Sequence, residues 1–319
     1  MTDAPAAAQP RGGRQRKRRG RPMDGWLIID KPQGLTSTDV VNRVRHAFDA
    51  QKVGHGGTLD PLATGVLPVA FGAATKTVPY VQDATKLYRF TLRLGEARDT
   101  DDADGKITAE SPNRPTDAAL VAALAAFIGD IQQVPPAYSA IKVGGERAYD
   151  LARSGRPPDL PPRPARVDCF TLIARPDADH AEFEVQSGKG VYMRSLARDL
   201  ALACGTVGHI ATLRRLRVGP FRIAQAVAEA AWLRPAEADR PGAEVLMPPH
   251  MALADMPALA VTEAEAMMLF HGQAISLLQF MPRMPPEADA GGLVRAMAGT
   301  RLAALCRLQD GTLRPERVL

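Results

Sequence analysis

Residues 53–69 read VGHGGTLDPLATGVLPV, and the rest of the chain is organised around this stretch. Four glycines and two prolines fall within these seventeen residues. Glycine permits a positive φ and a close backbone approach, whereas proline fixes φ. Because Asp60 precedes Pro61, its backbone is held out of the α region and close to an extended form. The pattern predicts a stiff loop that presents one carboxylate and leads into the core.

Asp60 has two interpretations at this point. An aspartate before a proline is common turn chemistry, and from spacing alone a structural cap is the more frequent outcome. A carboxylate held by the main chain on a stiff loop is also a suitable catalytic group. The loop follows neither of the two glycine-rich phosphate-binding patterns, so it is not a nucleotide cradle. Residues 66–71, VLPVAF, predict a short buried strand, which Pro68 should limit to a sheet edge or a strand end.

The chain of 319 residues is long enough for two domains, and a hydrophobic fraction of 45% supports a sizeable core. No apolar run approaches the roughly 18 residues of a membrane span, and no N-terminal apolar segment indicates a signal peptide. The three cysteines form no C-x-x-C pair, which argues against a zinc site and a disulfide framework. We therefore expect a cytoplasmic protein without membrane contact or bound metal.

The formal net charge of +5 is unevenly distributed. Residues 1–22 hold seven of the 40 basic residues and one acidic residue, so the remainder is close to neutral. Such a segment cannot bury a core, and we expect a disordered basic tail. It is either an electrostatic arm for nucleic acid or a solubilising tail without a specific partner.

Alternation and helical spacing predict the elements on either side of the loop. Residues 26–30 read as a strand, and Thr36 with Asp39 forms a capping box for the helix that follows. Residues 86–94, KLYRFTLRL, alternate cleanly, which places Tyr88 on the apolar face of a half-buried strand. Tyr88 is either a cross-strand aromatic or a platform on which a base stacks.

A glycine-rich turn opens a helix in residues 188–196, GKGVYMRSL. Arg194 in its first turn is unfavourable for the helix dipole, so a partner carboxylate is expected; the alternative is an exposed arginine. The acidic turn 99–105 lacks the acidic residues that a calcium loop needs at its first and last positions, so calcium is rejected. Residues 234–250 predict a linker before a strand-rich domain of about 70 residues.

These stretches together resemble the TruB family of tRNA pseudouridine synthases over roughly residues 24–319. The most specific is GHGGTLDPLATG at 54–65, which matches the family pattern G-H-T-G-x-L-D-P-L-A-x-G. The family usually has threonine where Gly56 stands here, so a more flexible loop is expected. The other matching stretches are KPQGLTS at 31–37, LYR at 87–89, PPAYSAIK at 135–142, GKGVYMRSL at 188–196 and LRR at 213–215.

The resemblance implies an α+β fold with two domains. A pseudouridine synthase catalytic domain at 23–245 would be built on a mixed, mainly antiparallel sheet. A small, β-rich PUA-like domain at 250–319 would follow it. The implied reaction converts uridine to pseudouridine at position 55, in the T-loop of tRNA, with no cofactor. We expect a stand-alone monomer that needs no guide RNA, because the chain carries its own C-terminal domain.

The resemblance also assigns roles to individual residues. Asp60 takes the place of the catalytic aspartate. The substrate-site residues that it implies are Tyr88, which stacks on the target base; Tyr192 and Leu213, which line the pocket for the flipped uracil; Arg194, which pairs with Asp60; His55, which contacts the displaced RNA; and Lys31 with Pro32, which support the site.

The reaction would break the N1–C1′ bond, turn the base and rejoin it through C5, without a change of redox state. Pairing with Arg194 would favour the ionised form of Asp60. An ionised aspartate can attack the sugar, attack the base or remove a proton, and the sequence does not choose among these. The rival interpretations are a non-catalytic RNA-binding module, a guide-RNA-dependent synthase, and a glycosidase, which would need a second carboxylate at a defined separation.

Overall fold

The computed structural model describes residues 20–228, 242–289 and 291–318. The basic tail predicted at 1–22 therefore lies outside the described residues, apart from its last three positions. The first half of the linker predicted at 234–250 also lies outside them. No helix in the described ranges is long and apolar enough to cross a membrane.

Most strands of the range 20–228 join one nine-stranded sheet. In chain order the strands of this range are β1 (Gly25–Lys31), β2 (Val53–His55), β3 (Thr64–Phe71), β4 (Lys86–Leu94), β5 (Glu96–Arg98), β6 (Ile107–Glu110), β7 (Gly129–Gln133), β8 (Lys142–Val143), β9 (Glu146–Arg147), β10 (Arg163–Ala174), β11 (His180–Ser187), β12 (Gly208–Val218) and β13 (Phe221–Arg222). The order in the sheet is β1-β3-β12-β4-β11-β10-β7, with β2 beside β3 and β13 beside β12. Within the described part of the chain, β12 and β3 form the only parallel pair of this sheet. The predicted mixed, mainly antiparallel sheet is confirmed.

Three helices pack on one face of this sheet and form its main apolar core. The helices of this range are α1 (Ser37–Ala47), α2 (Val78–Asp83), α3 (Asp117–Leu124), α4 (Ala148–Arg153) and α5 (Met193–Ala203). Val40 of α1, Leu120 of α3 and Leu196 of α5 are buried in one apolar cluster with Phe90 and Phe183 of the sheet. The predicted capping box starts α1, because the Thr36 hydroxyl accepts from the Asp39 N–H and the Asp39 carboxylate accepts from the Thr36 N–H.

β3 is an inner strand, although Pro68 predicted an edge or a strand end. The carbonyl of Pro68 accepts from the Gly56 N–H on the β2 side, so the proline nitrogen faces that side too. Pairing with β12 covers only Thr64 and Gly65, and pairing with β2 reaches no further than Val69. The proline therefore lies between two short partners, where its missing N–H breaks no ladder bond. The strand is confirmed, but its expected position in the sheet is wrong.

A second, five-stranded sheet follows in the C-terminal part. Its elements are β14 (Ala258–Ala260), α6 (Glu263–Phe270), β15 (Ile275–Ser276), β16 (Leu293–Ala298), β17 (Arg301–Gln309) and β18 (Thr312–Val318). The strand order is β14-β16-β17-β18-β15. Asp310 and Gly311 turn β17 into β18 with positive φ angles of 51° and 67°. Together the two sheets and their helices confirm the predicted α+β class.

A further apolar cluster joins the two sheets. Trp26 and Ile28 of β1 pack in one cluster with Leu302 and Leu305 of β17. Side chains of a strand alternate between its faces, so β1 uses its remaining apolar residues in the core beneath the helices. The domain limits at 23–245 and 250–319 stay predictions, because the two sheets share this buried contact.

Candidate active site

The loop that carries Asp60 is fixed to α1 and β1 by hydrogen bonds. The Ser37 hydroxyl of α1 donates to the Leu59 carbonyl at 3.1 Å and accepts from the Leu59 N–H at 2.8 Å. The Lys31 ammonium at the end of β1 donates to the Pro61 carbonyl at 3.3 Å. Both neighbours of Asp60 are therefore anchored, as expected of a stiff loop.

Lys31 lies beneath the loop and is fully buried. Its ammonium also donates to the carbonyls of Pro32 at 2.8 Å and Leu35 at 2.6 Å. Burial lowers the pKa of Lys31 to about 8, although the charge of Asp60 acts to raise it. Lys31 supports the loop from below and does not line the cleft described next.

Arg215 also fixes the loop, and the sequence did not indicate this role. Its guanidinium donates to the carbonyls of Val66 at 2.8 Å, Gly57 at 3.0 Å and Thr58 at 3.3 Å. The residue is 1% exposed. The sequence contains the motif LRR at 213–215. Its spacing alone does not show that the guanidinium of its last arginine donates to the loop carbonyls.

Arg194, in the first turn of α5, forms ion pairs with two carboxylates. Its Nη2 lies 3.0 Å from Oδ2 of Asp60, and its Nε lies 3.7 Å from Oδ2 of Asp102. Its guanidinium also donates to the carbonyls of Thr100 at 3.0 Å and Tyr138 at 2.9 Å. The Arg194 side chain is 6% exposed, whereas that of Asp60 is 39% exposed. The arginine that is unfavourable for the helix dipole is thus held by carboxylates, and Asp60 still reaches the cleft.

Asp102 belongs to the acidic turn 99–105, for which the sequence pattern indicated no role beyond a turn. The Thr100 hydroxyl donates to its Oδ1 at 2.5 Å, and the Asp104 N–H donates to the same oxygen at 3.1 Å. Burial raises the pKa of Asp102, while the Thr100 hydroxyl and the Arg194 charge act to lower it. The turn therefore supplies a second, buried carboxylate to Arg194. No spacing pattern in the sequence connects this carboxylate with Asp60.

One cleft of about 360 Å³ opens beside Asp60. Tyr88 on β4 is half-buried, and Leu213 lies on β12, the strand next to β4. The polar side chains include a partly exposed carboxylate, two buried guanidinium groups, a buried ammonium group and two phenols within one space. The predicted site residues that line this cleft are Asp60, Tyr88, Tyr192, Arg194 and Leu213.

Gln133 determines where α5 begins and was not predicted. Its side-chain oxygen accepts from the Tyr192 N–H at 2.8 Å, and its side-chain nitrogen donates to the Tyr192 carbonyl at 3.1 Å. Tyr192 precedes the first residue of α5 and has no side-chain cap of its own. Burial raises the pKa of Tyr192. Gln133 thereby positions both Tyr192 and the Arg194 that follows it.

His55 lies on β2, outside the lining of the cleft. Its Nδ1 accepts from the Gly57 N–H at 3.3 Å, which turns the imidazole toward the loop backbone. Burial lowers the pKa of His55, and the nearby charge of Arg215 lowers it further, so the neutral ring is favoured. His55 therefore does not line the cleft with Asp60, and its contact with displaced RNA stays a prediction.

Gly56 is closely packed where the family pattern has threonine. A Cβ at this position would lie 2.7 Å from Cγ1 of Val81 and 3.4 Å from Cβ of Pro68. Val81 of α2 is fully buried and occupies the space that a threonine side chain would need. Glycine at position 56 therefore fits the space that the Val81 side chain leaves.

The cleft suits chemistry on a flat, uncharged ring. An ionised carboxylate can act on such a ring or its sugar, and a half-buried tyrosine offers a face for stacking. No group of three or more His, Cys, Asp or Glu that could hold a metal occurs in the ranges 20–228, 242–289 and 291–318.

Comparison with known proteins identifies the family. The model of the N-terminal domain of TruB family pseudouridylate synthases matches residues 45–193, and that of the tRNA pseudouridylate synthase B C-terminal domain matches residues 194–254. The tRNA pseudouridine synthase B of Gluconacetobacter diazotrophicus is 67% identical over 306 residues, covering 95% of this chain and 100% of the relative. The chain belongs to the TruB family of pseudouridine synthases. The resemblance drawn from the sequence motifs is confirmed.

A second relative supports this assignment, and a solved structure shares the fold. The tRNA pseudouridine synthase B of Rhodospirillum rubrum is 53% identical over 308 residues, covering 95% of this chain and 99% of the relative. A chain in the crystal structure of a Cbf5-Nop10-Gar1 complex shares the fold, with a TM-score of 0.69 at 24% identity over 92% of this chain and 84% of that one. Neither family model extends over residues 255–319, which hold the second sheet.

Proposed function

We propose that this TruB-family enzyme converts uridine to pseudouridine at position 55, in the T-loop of tRNA, with Asp60 as the catalytic carboxylate. It acts as a monomer and without a guide RNA. Relatives named tRNA pseudouridine synthase B, at 67% and 53% identity, support tRNA as the substrate. The observation that carries the proposal is Asp60, held by Arg194 and open to a cleft that also contains Tyr88.

The size of the cleft supports base flipping. A volume of about 360 Å³ is in the range of pockets for single small molecules and far below that of an RNA stem. A uridine stacked within a folded loop must therefore leave the stack, at a cost of roughly a few kcal/mol. Stacking of the extruded base on Tyr88, worth about 1–3 kcal/mol, would offset much of this cost.

The chemistry needs one ionised carboxylate and no electron transfer. The N1–C1′ bond breaks, the base turns, a C5–C1′ bond forms, and the C5 proton is lost while N1 gains one. Arg194 holds the Asp60 carboxylate in an ion pair, with 3.0 Å between its Nη2 and Oδ2 of Asp60. That carboxylate serves equally for attack on C1′, attack on the base or removal of a sugar proton. Asp102 holds Arg194 from behind and keeps it directed at Asp60.

A single-turnover assay on an unmodified tRNA transcript tests the proposal, with no added cofactor, metal or guide RNA. Pseudouridine is then mapped chemically along the product. We expect wild-type protein to modify the T-loop uridine alone. Asp60→Asn should bind the tRNA and give no product.

Asp310→Asn is the matched control, because this exposed aspartate lies in a turn of the second sheet whose positive φ an asparagine tolerates. We expect it to behave as wild type. Product from Asp60→Asn near the wild-type rate would remove Asp60 from the chemistry. A folded wild type that binds tRNA but modifies it only with a guide RNA added would favour the guide-dependent alternative.

A further inference from the structure

The cleft has a cationic end that the chemistry at Asp60 does not use. Lys86 begins β4 two residues before Tyr88, so the two side chains lie on the same face of the sheet. Lys86 and Arg215 both line the cleft. Their exposures are only 6% and 1%, although each carries a full positive charge.

No carboxylate of the described chain pairs with Lys86. Its ammonium donates to the backbone carbonyls of Gln82 and Ala84. Asp83 is the neighbouring acid, but its carboxylate forms an ion pair with Lys189 at 2.8 Å. An ammonium group has three donors, so one N–H of Lys86 is left for a ligand.

The surroundings of Lys86 favour an anion. The pKa of Lys86 is lowered to about 8, first by burial and then by the charges of Arg215 and Lys189, while Asp83 alone acts to raise it. Two buried cations without a counter-charge are unfavourable, and a bound anion would remove that cost.

We propose that this cationic end of the cleft binds a phosphate of the RNA backbone next to the flipped uridine, with Lys86 as the contact residue. The inference rests on the proposed function and extends it by one contact. Successive same-face residues of a strand are roughly 7 Å apart, a distance on the scale of one nucleotide. A base stacked on Tyr88 therefore brings a flanking phosphate toward Lys86. Arg215 acts as a positioning residue, because its own donors hold the loop carbonyls.

A contact with a uracil carbonyl is the competing interpretation. A carbonyl oxygen is uncharged and would leave the pair of buried cations without a counter-charge. A phosphodiester carries one full negative charge per nucleotide. A bound phosphate would therefore supply the counter-charge that Lys86 and Arg215 lack. The charge balance of the cleft therefore selects the phosphate.

Neutral phosphate analogues test the proposal directly. An unmodified T-arm stem-loop RNA is made with a single methylphosphonate at either phosphate flanking the target uridine. Wild type should lose roughly ten- to hundredfold in single-turnover kcat/KM with one of the two analogues. Lys86→Met should show a similar loss on the normal RNA and no further loss with that analogue. Lys86→Arg keeps the charge and should stay sensitive to it.

Lys106→Met is the matched control, since Lys106 is an exposed lysine directly before β6. We expect it to match wild type on every RNA. If neither analogue slows wild type, or if wild type and Lys86→Met slow by the same factor, the phosphate contact is refuted. If wild type makes no pseudouridine in the unmodified RNA, the proposed function itself fails, which is a separate result. Even if Lys86→Met does not fold, the absence of an analogue effect on wild type refutes the phosphate contact.

Discussion

At the scale of single residues, the pair Gly56 and Val81 explains a departure from the family pattern. A Cβ at Gly56 would lie 2.7 Å from Val81, in a place where the backbone conformation itself tolerates a side chain. We expect Gly56→Thr to lower the free energy of unfolding by about 1–3 kcal/mol through overpacking. Adding Val81→Ala should recover most of that loss. Urea denaturation of the two single variants and the double variant measures the coupling.

Gly54 provides the control for this packing effect. It lies on the same stretch, and a Cβ there would meet nothing within 4 Å. We expect Gly54→Thr to change the free energy of unfolding far less than Gly56→Thr. Equal losses from both variants would mean that loop flexibility, and not contact with Val81, determines the preference for glycine.

The Asp102 carboxylate should matter for catalysis even though it does not line the cleft. Asp102→Asn keeps the shape and the hydrogen bonds from Thr100 but removes the charge that holds Arg194. We expect a single-turnover rate roughly ten- to hundredfold below wild type, or about 1.4–2.7 kcal/mol, with tRNA affinity unchanged. Asp104→Asn, an exposed aspartate of the same turn, should leave the rate unaltered. A full rate in Asp102→Asn would show that Asp60 and the carbonyls of Thr100 and Tyr138 are sufficient to orient Arg194.

Asp60 and Asp102 show how much of the site can be predicted from the sequence at this scale. Asp60, Tyr88 and Arg194 stand in local motifs whose turn and strand patterns fix their surroundings, and the structure brings them into one cleft. Asp102 comes from a separate turn, and only the tertiary fold places it behind Arg194. Contacts that cross between distant loops depend on packing rather than on local pattern, so spacing cannot reveal them.

At the scale of elements, β12 presents adjacent arginines to two different environments. Arg214 pairs with the partly exposed Asp30 at 2.7 Å, whereas Arg215 is buried beneath the loop.

Removing Arg215 leaves three loop and strand carbonyls unpaired. We expect Arg215→Met to cost about 2–4 kcal/mol of stability and to slow turnover. Arg214→Met should cost at most about 1 kcal/mol, as a surface pair does. Thermal unfolding and single-turnover rates of both variants measure the difference, and equal costs would contradict the assigned role of Arg215.

Strand β3 shows a second limit of prediction from sequence. Its apolar run and its last residue, Phe71, followed from local pattern, but its start at Thr64 and its place inside the sheet did not. Pro68 is accommodated because β12 and β2 each cover only part of one side. The number and length of partner strands are long-range properties, so a rule based on the proline alone gives the wrong position.

At the scale of the whole molecule, the second sheet is expected to be part of one cooperative unit with the first. Leu305 of β17 is fully buried in the cluster that contains Trp26 and Ile28 of β1. β1 leads directly to Lys31, which supports the loop of Asp60. Packing of the C-terminal sheet thereby contributes to the stability of the active-site loop from behind.

Leu305→Ala tests this coupling between the sheets. Loss of a buried leucine side chain costs about 2–5 kcal/mol, and the cavity would lie between β17 and β1. We expect amide hydrogen exchange to become faster in β1 and β17 together, with one thermal transition at a lower temperature. Leu278→Ala removes a leucine that is 84% exposed and should change neither quantity. Faster exchange confined to β17 would mean that the second sheet opens independently, and the active-site loop would then owe its rigidity to Ser37, Lys31 and Arg215 alone.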